Sequence, residues 1–327
     1  MVRKKISIVI RCCNEEQHIG RLLTGIFEQS IKGVEIILVD SGSTDDTLSV
    51  ASRFPVLIHQ ISPADFSFGS ALNLGCKRAS GEFIVVASAH VFPLYKDWLE
   101  KLIAPFSNAR IGLVYGKQRG NETTRYSEHR IFEKWFPNQS TMRQDHPFCN
   151  NANAAILRSL WRRLPYDETL TGLEDIDWAN RAMQLGYRVA YLADAEVVHV
   201  HDEPTKHILN RYRREAIALK RIFPQEKFSL WDFVRLYLAN TMSDYWHAWR
   251  DKVLRRNLRS IPAFRLMQFW GTYCGYTQRG PVSTQLRQTF YYPKGWSCAP
   301  AQQTEAKHRD PIEYVANQEE RPIAAFH

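Results

Sequence analysis

The stretch Glu82-Phe83-Ile84-Val85-Val86-Ala87-Ser88-Ala89-His90-Val91-Phe92-Pro93 constrains the fold more than any other. From Phe83 to Ala87 it is continuously apolar rather than alternating, the pattern of a strand buried on both faces of a parallel sheet. A central strand is therefore expected. The run stops at Ser88-Ala89-His90, and Pro93 then removes a ladder donor, so a small hydroxyl residue and an imidazole fall at the carboxyl end of that strand. Open α/β sheets bind their ligands at that edge. On this stretch alone a histidine merely satisfied at a strand end is the plainer reading of His90; the rest of the chain argues for more.

At 327 residues with 44% hydrophobic content, the chain can bury a sizeable core. The apolar run near its start, Ile6 to Ile10, is cut by Arg11 and is too short for a signal-peptide core. No stretch approaches the roughly 18 apolar residues of a spanning helix. A cytoplasmic protein is expected. Cys12, Cys13, Cys76, Cys149, Cys274 and Cys298 are scattered, without zinc-site or disulfide-framework spacing, and read as reduced thiols. The net charge of +9 is uneven: Thr205 to Gly295 carries 17 Lys+Arg against 5 Asp+Glu, a net of +12, which leaves −3 for everything else.

Ile6-Ser7-Ile8-Val9-Ile10 reads as a buried strand, and Asn14-Glu15-Glu16 opens a helix with Ile19, Leu22, Leu23, Ile26 and Phe27 at helical spacing. Val34 to Val39 is a second strand. It ends in Asp40-Ser41-Gly42-Ser43-Thr44-Asp45-Asp46, where Ser43 and Asp46 have capping-box spacing for the next helix. An acid at the tip of strand two commonly holds a nucleoside, although Asp40 fits a turn residue equally well. Val56 to Ile61 is a third strand, and Phe68 to Ala79 a helix whose small residues permit close packing. Four βα units in about 90 residues, without G-x-G-x-x-G or a Walker loop, point to a nucleotide-binding α/β half of neither the dinucleotide nor the P-loop type. Asp175 to Leu185 reads as a helix whose N-terminus holds Glu174 and Asp175, where the helix dipole favours carboxylates; capping is the structural alternative for Asp175. Val189 to Leu192 and Glu196 to His201 read as two short strands.

The order of these motifs, from Ile6-Ser7-Ile8-Val9-Ile10 with Asn14-Glu15, through Asp40-Ser41-Gly42-Ser43-Thr44-Asp45, Asn73-Leu74-Gly75 and Ala79-Ser80-Gly81-Glu82, to Gly172-Leu173-Glu174-Asp175-Ile176-Asp177-Trp178, resembles a family 2 glycosyltransferase of the GT-A fold over roughly residues 5 to 203. Phe66 to Asn73 resembles bacterial rhamnosyltransferase-like members. The resemblance implies an α/β, Rossmann-like, mostly parallel central sheet flanked by helices, here with a C-terminal α-helical extension. It also implies an inverting transfer of a sugar from a nucleotide-sugar donor to a hydroxyl of a glycan or lipid-linked acceptor, in cell-surface polysaccharide synthesis. Position by position it places Asn14, Glu15, Asp40, Ser41, Asn73, Ser88, Ala89 and His90 on the donor side. Asn151, Asn153 and Trp178 fall on the acceptor side, with Asp175 as catalytic base and Glu174 beside it. Where the family usually has a metal-binding Asp-x-Asp, this chain has Ser88-Ala89-His90. A divalent metal (Mn2+ or Mg2+) on His90 with His199 or His201 is one reading, and histidines acting only as donors to phosphate is the other.

These features divide the chain into residues 1–110, the nucleotide-sugar half; 111–204, the acceptor half with the base; 205–295, basic helices; and 296–327, a polar tail. In the basic helices Trp231, Trp246, Trp249 and Trp270 are interleaved with arginines, which suits an anionic membrane surface and a peripheral position on the inner face of the membrane. No nucleic-acid module signature is found, and nucleic acid is not an expected partner. Two rivals stay open: a catalytically inactive nucleotide-sugar-binding or scaffold protein of the same fold, suggested by the missing Asp-x-Asp, and a basic nucleic-acid-binding protein.

Overall fold

The computed structural model describes residues 6–201 and 204–280, with Val282, Leu286, Phe290 and Ile312 beyond them. Most of the polar tail and Cys298 lie outside the described residues. In chain order the elements are β1 (Ile6–Cys12), α1 (Ile19–Phe27), β2 (Glu35–Asp40), α2 (Thr47–Ala51), β3 (Leu57–Gln60), α3 (Phe68–Arg78), β4 (Phe83–Ser88), β5 (Val91–Pro93) and α4 (Trp98–Ile103). Then come β6 (Ile111–Arg119), α5 (Tyr126–Trp135), β7 (Asn153–Leu157), α6 (Arg158–Arg163), α7 (Glu174–Gln184) and β8 (Arg188–His199). Helices α8 (Thr205–Ile222), α9 (Leu230–Arg250), α10 (Leu254–Asn257) and α11 (Ser260–Thr277) complete the order.

The strands form one sheet in the order β3-β2-β1-β4-β7-β6-β8-β5. The first four are parallel, β7 runs antiparallel to β4 and β6, β6 is parallel to β8, and β5 is antiparallel to β8. The expected parallel character thus belongs to the first half, and the second half is mixed. β4 lies between β1 and β7, with Ile84, Val85, Val86 and Ala87 fully buried, as its unbroken apolar run requires. Alternation sends neighbouring residues to opposite faces. Ile8 and Ile10 join a core with Leu22, Leu23 and Trp98, while Val9 joins the core of Leu72, Ile84 and Trp178 on the other face. Each such side chain contributes about 1.5–3 kcal/mol by burial.

The amino-terminal edge of the parallel strands is fixed by a buried polar staple. Ser7 Oγ donates to the Glu35 carboxylate, which also accepts from Ser80 N at 2.7 Å and Ser80 Oγ at 3.0 Å, and Gly81 N donates to Ser7 Oγ at 2.8 Å. The C-terminal helices dock through a second buried pair. Arg265 of α11 is bidentate to Asp244 of α9 at 2.7 and 2.9 Å, and also reaches Ser127 O on α5. Five cysteines are unpaired among the described residues.

Three local expectations are corrected. The first helix begins at Ile19, because Asn14 adopts a left-handed φ of 54° and breaks the chain there. The Ser43/Asp46 capping box does not form: Asp46 caps nothing with its side chain, and Ser43 turns its hydroxyl to Asp40 instead. The two short strands expected near residues 189–201 are one strand, β8, with an irregular segment between Leu192 and Val197.

That irregularity is held by Gly116. A Cβ there would lie 2.1 Å from Ala195 O and 2.4 Å from Asn153 Nδ2, atoms that belong to the sheet interior. Gly116→Ala is expected to lower unfolding stability by about 1–3 kcal/mol, the range for overpacking a filled core. Chemical denaturation checks this, and an unchanged midpoint refutes it.

Candidate active site

β1, β2 and β4 end together: Arg11 lies opposite Ser88 and Cys12 opposite Asp40. Beyond Ser88 the chain folds through Ala89 and His90 into β5, which pairs with the end of β8. Val91 is opposite His199, and Val200 N donates to His90 O at 3.0 Å. This pairing brings His90, His199 and His201 together, with their ligating atoms all within 4.8 Å of one another. The His90 and His199 rings stack at 5.0 Å, and His199 Nε2 is 2.9 Å from His201 Nε2.

Each imidazole is held from behind. His90 Nδ1 is 2.6 Å from Glu15 Oε1, His199 Nδ1 is 2.7 Å from Gln118 Oε1, and His201 Nδ1 is 2.8 Å from Glu128 Oε1. Arg211 of α8 contacts both Glu128 and His201. Burial pushes His199 well below the usual imidazole range, and the neighbouring His201, His90 and Arg211 add to the effect, so the ring is neutral at pH 7. Burial alone would raise the Glu128 carboxyl, but Arg211 and His201 outweigh it and lower it to about 2. The cluster is an all-imidazole donor set with its outer nitrogens fixed, the arrangement by which proteins orient metal-ligating histidines.

The second part of the site is the start of α7. Leu173 at φ 55° turns the chain so that Glu174 and Asp175 enter the helix buried. Asp175 Oδ2 accepts from Asn151 N at 3.0 Å and Oδ1 from Ile176 N at 2.9 Å. Burial, with the adjacent Glu174 charge, raises its carboxyl well above the usual range, against the lowering effect of those N–H groups and of Arg11. Glu174 instead has a counter-ion, Arg11 Nη1 at 3.3 Å. Arg11 and Arg214 sandwich the Phe68 ring at 4.6 and 4.5 Å.

The expected residues separate on this frame. Ser88, His90 and Glu15 lie at the carboxyl edge beside buried Ala89. Asn14, Asp40 and Ser41 build the adjoining turn: Asn14 Oδ1 accepts from Thr44 N at 2.8 Å, Asp40 accepts from Gly42 N at 3.1 Å and Ser43 N at 3.2 Å, and Ser41 Oγ donates to Cys12 O at 3.3 Å. Asp40 is fully buried, so its turn role is the one seen. Asn151 sits against both acids. Three of the expected ligand contacts are engaged by hydrogen bonds within the protein. Asn73 donates to Tyr166 O and Glu168 Oε1 and accepts from Trp161 Nε1 and Tyr166 N, which uses its whole amide. Asn153 is fully buried, accepting from Trp98 Nε1 and donating to Lys117 O and Ala195 O. Trp178 is fully buried with Nε1 donated to Leu164 O.

Gln118, Glu128, Arg211 and Arg11 were not singled out from the sequence. Only Arg11 left a signal, as the charge that interrupts the first apolar strand. A cavity of about 450 Å³ lined in part by Arg110, Arg143, Tyr187 and Arg188 opens at the opposite, amino-terminal end of β6 and β8.

Residues 7–164 match the family model described as Glycosyl transferase family 2. The O-antigen chain rhamnosyltransferase WbaN of Salmonella anatum is 28% identical over 204 residues, 57% of this chain and 62% of WbaN, so the chain spans less than two thirds of that relative. The O-antigen chain rhamnosyltransferase RfbN of Salmonella typhimurium is 27% identical over 220 residues, 64% of this chain and 70% of RfbN. Among solved structures, the mannosyltransferase PcManGT from Pyrobaculum calidifontis, in complex with GDP-Man and Mn2+, has a TM-score of 0.55 at 20% identity, covering 90% of this chain and 89% of that one; the likeness is one of fold. Motif order, sheet and matched segment agree: residues 7–164, just under half of the chain, are similar to glycosyl transferase family 2, and the fold is GT-A.

Proposed function

We propose that the protein is an inverting glycosyltransferase that moves a sugar from a nucleotide-activated donor to a hydroxyl of a glycan or lipid-linked acceptor in the assembly of a cell-surface polysaccharide. The observation that carries this reading is Asp175: a buried carboxyl of raised proton affinity at a helix start, beside the carboxyl edge of a family 2 domain. The O-antigen relatives support the acceptor class, and the GDP-Man complex of PcManGT supports the donor class.

The acceptor hydroxyl must lose a proton as it attacks the anomeric carbon from the face opposite the leaving diphosphate. Asp175 takes it. Glu174, paired with Arg11, lies beside Asp175 and raises its neighbour's affinity for a proton, and Asn151 N fixes the orientation of the receiving carboxylate. The loops after β1 and β2, with Asn14, Glu15, Asp40 and Ser41, form the nucleoside side; Asp40 shapes that turn. Ser88 and His90 at the tip of β4 face the diphosphate. The three histidines fit a divalent cation by donor chemistry, since imidazoles with secured Nδ1 atoms are good ligands. When bound, such an ion stabilises negative charge on a departing diphosphate.

Asp175→Asn preserves shape but cannot take the proton. Transfer is expected to fall by about 10²–10⁴, the usual share of a general base, with nucleotide binding retained. The wild-type rate should fall with decreasing pH through a pKa above the usual carboxylate range, because the base works only when deprotonated and its pKa is raised. A near wild-type rate for the variant, or an acid limb near pH 4, moves the base elsewhere, with Glu174 and Asp177 next.

Nucleoside diphosphates and nucleotide sugars should raise the unfolding midpoint of the wild type, since a ligand of the folded state stabilises it by mass action. Asp40→Ala should reduce that shift. Stabilisation without transfer to any acceptor would favour the inactive-scaffold rival; tight, salt-sensitive nucleic-acid binding with no nucleotide-sugar response would favour the other.

In the same reading the C-terminal helices rest on the cytoplasmic face of an anionic membrane. Among the described residues no helix is long and apolar enough to cross a membrane, and the contact in this reading is a peripheral one. One side of α9 leaves Trp231, Met242, Trp246 and Trp249 at 71%, 64%, 59% and 60% exposure, with exposed Lys252, Arg255, Arg256 and Arg259 just beyond it. Apolar rings flanked by cations suit an interface of headgroups and acyl chains. Flotation should recover the protein with vesicles containing anionic lipid, less so as salt rises. Absence from both neutral and anionic vesicles refutes this.

A further inference from the structure

The histidine cluster carries a choice of ion that the family resemblance does not make. Three imidazoles meet, and among the described residues no carboxylate joins their ligating atoms: Ser88 occupies the position where an acid would be expected, while the nearby acids Glu15 and Glu128 hold His90 and His201 from behind. If each Nδ1 gives its proton to the acceptor it faces, each Nε2 keeps a free lone pair, and those of His199 and His201 belong to atoms 2.9 Å apart. Two lone pairs at that distance need a shared proton or a cation. The proton-only arrangement exists, because Arg211 Nη1 lies 2.8 Å from His201 Nδ1 and can donate to it, leaving His201 Nε2–H to donate to His199 Nε2. A cation displaces that shared proton and lets His201 turn its Nδ1–H to Glu128.

We infer that His90, His199 and His201 form a three-imidazole site that selects a borderline transition ion, of the Co2+, Ni2+ or Zn2+ kind, over Mg2+. Imidazole suits these ions, whereas Mg2+ asks for oxygen ligands. Mn2+ stands at the weak end of the same affinity order. The spacing of one pair agrees: metal–nitrogen bonds of about 2.0–2.1 Å put neighbouring ligands roughly 3 Å apart, close to the His199–His201 separation, while His90, whose ligating atom lies within 4.8 Å of theirs, closes in on the ion. Glu15, Gln118 and Glu128 act as positioning residues. The ion's role at the diphosphate rests on the proposed transferase reading; its binding chemistry does not.

The test is a titration of the full chain, stripped with chelator and desalted, with Co2+ alone, followed by its visible absorption. A saturable ligand-field band at one equivalent is expected, displaced by equimolar Zn2+, displaced by Mn2+ only in large excess, and untouched by millimolar Mg2+. His90→Ala should abolish the band, and Glu15→Gln should weaken Co2+ binding about 10–100-fold, the usual effect of losing an outer partner. Should His90→Ala fail to fold, Glu15→Gln, which keeps the shape, carries the same test. No band, a band unchanged in both variants, or displacement by Mg2+ at a concentration equal to Co2+ overturns the inference. Nucleotide-induced stabilisation measured on the same protein separates the two readings: a Co2+ site with no nucleotide response would sink the transferase and leave the metal inference standing, and the reverse would do the opposite.

Discussion

The site depends first on the in-register parallel pairing of β1 with β2 and β4. That pairing puts Arg11 beside Ser88 and Cys12 beside Asp40, so that three strand ends deliver their polar residues to one edge. A slip of one residue would turn every side chain to the other face of the sheet. The opposite edge prevents this. The Glu35 carboxylate, buried among Ser7 and Ser80, ties all three strands together, and Gly81 comes so close to Ser7 N that an added Cβ would lie 2.6 Å away. Losing one partner there would leave a buried carboxylate short of hydrogen bonds, a loss of about 1–3 kcal/mol or more.

The histidine cluster depends on a second, less regular alignment. β6 and β8 run in register from Leu113 opposite Val189 to Gly116 opposite Leu192, and resume with Gln118 opposite Val197. The irregular piece between them is packed around Asn153, whose amide takes Lys117 O and Ala195 O. The shift allows Gln118 to meet His199 two residues further along β8. Buried amide and close-packed glycine thus act as one device that aims an imidazole, an instance of a local irregularity re-aiming a side chain.

Much of this edge was legible in the sequence, and the reasons are local. An unbroken apolar run identifies β4 as a central strand, and the small and polar residues Ser88-Ala89-His90 at its end mark the edge; Glu174-Asp175 ahead of an amphipathic helix identifies the acids. What the sequence leaves ambiguous has a common cause too. Asn73, Asn153 and Trp178 carry groups that suit a ligand as well as a buried turn, and only partners far along the chain, such as Tyr166 for Asn73, decide between them. Glu128 lies 73 residues before His201, on a helix whose sequence resembles any exposed amphipathic helix. Its pairing with Arg211 and His201 is created by the docking of α5 and α8 and has no local signature.

The two acids at the start of α7 show how the interior distinguishes chemically similar neighbours. Both are buried, and two adjacent carboxylates in low dielectric do not ionise equally readily. Arg11 gives Glu174 a cation, itself braced against Phe68, whereas Asp175 receives two backbone N–H groups. Hydrogen bonds from neutral donors stabilise a carboxylate less than a counter-ion does, and they fix its direction more tightly. Asp175 therefore retains an appetite for a proton and a defined orientation in which to receive one. A fixed charge beside a poised one is what a base requires, and this division of labour supports giving the role to Asp175 rather than Glu174.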